Sequence, residues 1–205
     1  MRIRYWIIAF LFAAQIAAKP MSAEKSLMPL VEAQFEMVTD SGQMLTLSVG
    51  GTKSIEGIEC TAVEWSWNGR AFQTEYFFVK GDSVFNAGTL ALGHLVPYTV
   101  PLLMVKESAA RGDTWTVPMG KGAFTDTARF LVEGVDTVVT KAGRFPALRV
   151  SMSTKSINHT RWYARGIGMI KESRRAIRNG VVGEMIMPDR TLSRVLPSKK
   201  DLPKE

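Results

Sequence analysis

Asn68-Gly69 stands between two alternating runs, Ile58 to Trp67 and Arg70 to Tyr76. An Asn-Gly pair supplies the two positive-φ positions of a type I′ turn, whose twist matches that of antiparallel strands. This part of the chain is thereby committed to a tight hairpin. Counting outwards sets Trp67 opposite Arg70, Trp65 opposite Phe72, Val63 opposite Thr74 and Thr61 opposite Tyr76. In that register Trp65, Trp67, Phe72 and Tyr76 share an aromatic face, while Glu64, Ser66, Gln73 and Glu75 share the other. Cross-strand aromatic pairs contribute about 0.2–1 kcal/mol each, and Arg70 is placed to cover Trp67 as a cation–π partner. The aromatic face is either plain core or the wall of a pocket.

Similar punctuation runs along the chain. Leu30 to Thr39 and Met44 to Val49 alternate around Asp40-Ser41-Gly42, and Glu56-Gly57, Gly81-Asp82 and Asn179-Gly180 mark further reversals. Gly50-Gly51-Thr52 reads as a bulge. Lys141-Ala142-Gly143-Arg144 reads as a four-residue loop, which sets Asp136 opposite Arg149. Trp162-Tyr163-Ala164 and Ile167 to Lys171 flank Arg165-Gly166-Ile167-Gly168, two glycines suited to a turn between antiparallel strands. Pro97 and Pro101 interrupt the region from Asn86 to Gly112, where Leu102 to Ala110 reads as a short helix. About ten to twelve strands with hairpin-length links describe an all-β, antiparallel fold. A closed or half-open barrel, or one strongly curved sheet, with at most one short helix, manages its edges best at this length.

Residues 1–23 are set apart from that domain. Arg2 and Arg4 precede an apolar run from Ile7 to Ala18, and small residues follow: the order of a secretory signal, with cleavage after Ala18 or Ala23. The run is too short for a transmembrane helix, which needs roughly 20 apolar residues. Residues 24–192 then form a single antiparallel β domain. Residues 193–205, polar, charged and proline-punctuated, form a disordered tail. The expected location is periplasmic or secreted, with no transmembrane span once the signal is removed. Cys60 is the single cysteine, so the core must hold without an internal disulfide. Losing Arg2, Arg4 and Lys19 lowers the formal charge from +7 to +4. An excess of that size does not argue for nucleic acid, which wants a concentrated basic face.

The residues supply little catalytic chemistry. His94 and His159 are the two histidines, and no Cys/His/Glu spacing supplies the three or four ligands of a zinc site. There is no G-x-S-x-G elbow and no glycine-rich phosphate loop before a helix. Neither a metal nor a cofactor is expected. The more specific signal is basic: Arg161, Arg165, Lys171, Arg174, Arg175 and Arg178 stand against one acid, Glu172. That cluster is either a solvated, aggregation-resistant edge or a face for an anionic surface or acidic partner.

Residues 141–150, KAGRFPALRV, and 162–171, WYARGIGMIK, resemble two hairpins of a family of exported bacterial β-rich proteins, many known only as hypothetical proteins or lipoproteins. The family pattern is P-A-G-T-F-x-A-x-[KR]-V followed by W-Y-A-x-G-[VI]-G-x-[VI]-K, with an upstream G-D-[ST]-W matched by Gly112-Asp113-Thr114-Trp115. This chain departs from it at Lys141, Arg144 and Pro146, and it has no lipobox. The resemblance implies a secreted β-rich fold and assigns no catalytic residue.

The leading functional reading is a binding or carrier module for an apolar or amphiphilic ligand such as a lipid, with Trp65, Trp67, Phe72, Tyr76 and Trp162 as the ligand-facing candidates. The alternative is a cell-envelope interaction protein. It would dock a protein or anionic surface through its sheet edges or the basic hairpin 161–178, using Arg161, Arg165, Arg174 and Arg178. An enzyme of unassigned mechanism is the third.

Overall fold

The computed structural model describes residues 26–119 and 126–196, and no helix occurs among them. The leader read over residues 1–23, and residues 197–205 of the expected tail, lie outside the described residues. The strands are β1 (Ala33–Thr39), β2 (Met44–Ile55), β3 (Ile58–Trp67), β4 (Arg70–Lys80), β5 (Ser83–Ala91), β6 (His94–Lys106), β7 (Thr114–Met119), β8 (Asp126–Thr140), β9 (Gly143–Ser153), β10 (Ile157–Ala164), β11 (Gly168–Arg178) and β12 (Val181–Leu196). The last strand therefore runs four residues past the point where the sequence pattern fades.

The twelve strands form one antiparallel sheet in the order β6-β5-β4-β3-β2-β1-β12-β11-β10-β9-β8-β7. Two six-strand meanders, each built of consecutive hairpins, are thus joined where β1 pairs with β12. The sheet curls into a nearly closed barrel with one unsealed seam, between β6 and β7. Side chains bridge that seam: the Trp115 indole N–H donates to the Leu103 carbonyl at 2.8 Å, and Lys106 Nζ lies 5.9 Å from the same ring. Both edge strands carry prolines, Pro97 and Pro101 on β6 and Pro118 on β7. Proline lacks the N–H that a further strand would need, which protects such edges from pairing with another chain.

Alternation places the core inside. On β8, Ala128, Phe130 and Val132 are buried while Thr127, Arg129 and Leu131 face outwards. Met37, Leu45, Leu47, Val63, Trp65, Phe77, Val150, Tyr163 and Ile170 fill the interior from the other strands. A smaller cluster of Ile55, Cys60, Tyr76 and Ala87 packs apart from this core. Cys60 sits there as a small buried side chain, its thiol 3.4 Å from the Ile58 carbonyl.

Three local expectations are corrected. Residues 94–106 are strand rather than loop and helix, because β6 accommodates its prolines in an irregularity: Asn86 pairs with Leu102 and Gly88 with Pro97, so residues 98–101 are left out of the ladder. The β8–β9 turn is Lys141-Ala142 alone, with Thr140 paired to Gly143. Asp136 therefore faces Ala147 and meets Arg149 diagonally, at 3.0 Å. The Asn68-Gly69 turn forms and pairs Trp67 with Arg70, but the register slips one residue beyond Ser66.

The two ends of the barrel differ. At one, the segment before β1 folds across as a plug: Leu27 and Met28 are buried, and the Glu107 carboxylate accepts from the Leu27 N–H at 2.8 Å and from the Ser26 hydroxyl at 2.7 Å. The Gly166 N–H completes the closure by donating to the Ser26 carbonyl at 2.8 Å. Gly166 (φ 76°) and Gly168 (φ 100°) both lie in the left-handed region, where a Cβ is strained. Gly166→Ala and Gly168→Ala are each expected to lower stability by more than about 1 kcal/mol, read as a drop in melting temperature. An unchanged melt for both would show that the turn relaxes freely.

Candidate functional site

The register slip decides what the barrel contains. With Ser66 paired to Ala71 but Trp65 to Gln73, one extra residue at Phe72 exchanges the faces of β4. Glu75, expected outside, now stands opposite Val63 on the core side, and Tyr76 moves to the smaller cluster with Cys60. Across the barrel, Arg161 on β10 pairs with Glu172 on β11, and Glu172 pairs with Arg190 on β12. Arg161 Nη2 reaches over the interior to both Glu75 oxygens, at 2.9 and 3.0 Å. β4 and β10 are not neighbours in the sheet, so this ion pair spans the lumen.

Glu172 is the hub. Its Oε1 accepts from Arg161 Nη2 at 3.2 Å, from Arg174 Nη2 at 3.1 Å and from His159 Nε2 at 2.5 Å, and its Oε2 accepts from Arg190 Nη1 at 3.1 Å. Asn86 Nδ2 adds a bond of 3.2 Å to Glu75. Glu75, Asn86, His159, Arg161, Glu172 and Arg190 are all more than nine-tenths buried. Charges at such depth persist when each is met by another and by hydrogen bonds. Burial opposes ionisation of Glu172, but His159, Arg161 and Arg174 outweigh it and hold the carboxyl well below its ordinary range. Burial, reinforced by Arg161, pushes His159 down to about 4. At neutral pH the imidazole is therefore uncharged, and its Nε2 also lies 3.2 Å from Arg161 Nε and 3.4 Å from Arg174 Nε. The cluster then holds three guanidinium cations, Arg161, Arg174 and Arg190, against two carboxylates, Glu75 and Glu172.

Arg190 links this cluster to the open end. Its guanidinium lies 4.4 Å from the Trp65 ring and 5.7 Å from that of Phe72. Above it opens a cleft of about 640 Å³, lined by Leu45 from β2, Trp67 and Phe72 from the β3–β4 hairpin, and Met187, Pro188 and Arg190 from β12. Trp67 stands at the rim, 51% exposed. The cleft is a trough with apolar walls, Arg190 at its base and the exposed Arg70 of the β3–β4 hairpin also lining it.

The other candidates lie elsewhere. Trp65 is fully buried in the stack below Arg190, and Tyr76 is covered by Lys53 at 5.4 Å. Trp162 is half-buried against the main core, outside the cleft, its indole N–H donating to Asp136 at 3.1 Å and Lys171 lying 4.9 Å from its ring. The structure thus brings Trp65, Trp67 and Phe72 together and separates Tyr76 and Trp162 from them. The four arginines divide three ways. Arg161 and Arg174 enter the buried cluster, Arg165 pairs with Glu107 at the plugged end (3.2 Å), and Arg178 is exposed at the tip of the β11–β12 hairpin. They do not form one surface patch. Sequence reasoning missed Glu75, His159, Arg190 and Met187. The solitary Glu172 among six cations was the available signal, and two of the six, Arg161 and Arg174, do converge on it.

No group of three His, Cys, Asp or Glu side chains among the described residues is placed to hold a metal ion. No described helix is long and apolar enough to cross a membrane. Two solved structures are similar in outline. One is a candidate lipoprotein from Parabacteroides distasonis, with a TM-score of 0.46 at 11% identity over 83% of this chain and 98% of that chain. The other is a candidate exported protein with a YmcC-like fold from Bacteroides fragilis, with a TM-score of 0.45 at 12% identity over 81% of this chain and 95% of that one. No protein-family model and no curated protein matches the sequence.

Proposed function

We propose that this protein is an exported binding or carrier module whose open-end cleft takes an apolar or amphiphilic ligand. The observation that supports it is the cleft itself. Its volume of about 640 Å³ falls within the roughly 300–1,000 Å³ of small-molecule sites, and apolar walls around few polar groups are the usual composition of such sites. The main core fills the barrel below the cleft, and the plug of Leu27 and Met28 covers the opposite end. The leader-like residues 1–23 support export. The buried cluster does not support an enzyme: Glu75, His159, Arg161 and Glu172 are satisfied by one another and present no acid or base to the cleft. For docking through sheet edges, the seam offers two strands, but both are interrupted by proline.

Native mass spectrometry of gently purified protein tests the reading. The expected result is a non-protein mass that leaves on denaturation and is reduced in Trp67→Ala and Phe72→Ala. Protein that emerges empty and takes up no offered amphiphile would overturn it.

A further inference from the structure

We propose that the polar end of the cleft's ligand is a single carboxylate, seated between Arg190 and Arg174 where the Met187 thioether now lies. The proposal rests on the cleft reading and adds to it the ligand's charge. Arg190 Nη2 makes a 3.9 Å contact with Met187 Sδ, and Arg174 Nη1 approaches the same sulfur at 3.6 Å. Two charged donors therefore converge on a thioether, a weak acceptor. Met187 lines the cleft, and its unbranched side chain adapts easily to a displacing group. A further donor lies in the same stack: the buried Trp65 indole N–H has no hydrogen-bond partner among the described residues. The site is rich in donors and short of acceptors.

Charge narrows the class. Among the described residues, three guanidinium groups meet two carboxylates and a neutral imidazole, an excess of one positive charge at the base of the trough. A monoanion balances the cluster, a dianion such as a phosphate monoester would need the exposed Arg70 of the cleft lining as well, and a cation is repelled. A guanidinium's planar donors suit a carboxylate, and charge-assisted bonds of this kind are stronger than neutral ones. The apolar walls above, formed by Leu45, Trp67 and Phe72, then receive the alkyl chain. The ligand class that follows is a long-chain carboxylic acid, bound head-down.

Equilibrium binding of laurate, dodecanol and dodecyl phosphate to the full chain at neutral pH tests this. The chains match, so differences report the head. Laurate is expected to bind about ten- to a hundred-fold more tightly than dodecanol and more tightly than dodecyl phosphate. Arg190→Met should bring laurate down to the level of dodecanol. Because Arg190 also neutralises Glu172, a second variant is needed that does not disturb that pair. Met187→Glu places a carboxylate of the chain itself between the two guanidinium groups, so it should melt above the wild type and lose the preference for laurate. Equal binding of laurate and dodecanol by the wild type, tighter binding of dodecyl phosphate, or a laurate preference that survives in Met187→Glu would overturn the carboxylate assignment and leave the cleft reading standing. Binding of none of the three would overturn both.

Discussion

Glu172→Gln is expected to destabilise the protein by about 3–5 kcal/mol, the range for breaking a buried ion pair by removing one partner. Glutamine keeps the volume and some hydrogen bonding, but it leaves Arg161, Arg174 and Arg190 facing Glu75 alone. A domain of this size has roughly 5–15 kcal/mol of stability in all, so the loss is a large share of the total. It should appear as a fall in melting temperature of about 10 °C or more. Glu133→Gln is the control: its pair with Arg149 is at 2.8 Å but partly exposed, and removing such a pair costs about 0–1 kcal/mol. If the two variants melt alike, the interior cluster is solvated and does not hold the barrel together. Replacing the cluster wholesale by apolar residues of matching volume is a different experiment, and it can be neutral or even stabilising.

The second large effect is acid sensitivity. His159 has a folded pKa of about 4 against an ordinary value of 6.5, so the unfolded chain binds a proton more readily than the folded one between those limits. Its contribution is fully present above pH 6.5 and is lost as the pH falls towards 4, amounting to about 3 kcal/mol. Glu172, held well below its ordinary value of 4.5, adds a second loss that begins below that pH. Melting temperature should therefore be level from pH 8 to 7, decline from about pH 6.5, and steepen below about 4.5. His159→Gln should flatten the upper part of that decline and leave the lower part in place. A wild-type profile level down to pH 5 would show that His159 gains a proton in the folded state without cost.

Much of the barrel is legible in the sequence because its turns carry their own chemistry. Asn68-Gly69 and Asn179-Gly180 sit at the tips of hairpins, and Gly50-Gly51 marks a real bulge, with Val49 paired to Val63 and Thr52 to Thr61. β6 was obscured because Pro97 and Pro101 are local breaks that an edge strand tolerates. The site was obscured for a different reason. Strand parity carries a residue to one face or the other, and a single extra residue near Phe72 reverses it for everything beyond. Nothing local in Ala71-Phe72-Gln73 signals that bulge, so Glu75 read as solvent-facing when it is the far anchor of the ion pair across the lumen. Arg190 was invisible for want of context: its partners Glu172 and Trp65 lie 18 and 125 positions away in the chain. Cross-barrel contacts of this kind follow from closure, which no hairpin encodes.

An alkyl chain that enters the open-end cleft lies against Trp67. A brominated fatty acid quenches indole fluorescence on near contact, and among the described tryptophans Trp67 lines that cleft while Trp65 is sealed below Arg190 and Trp115 and Trp162 lie on other surfaces. Titration of the wild type with a dibrominated long-chain acid should give saturable quenching. In Trp67→Phe, which keeps the cleft's apolar wall, most of that quenching should vanish while binding of the acid persists. Quenching that is unchanged in Trp67→Phe would place the ligand elsewhere on the barrel and contradict the account.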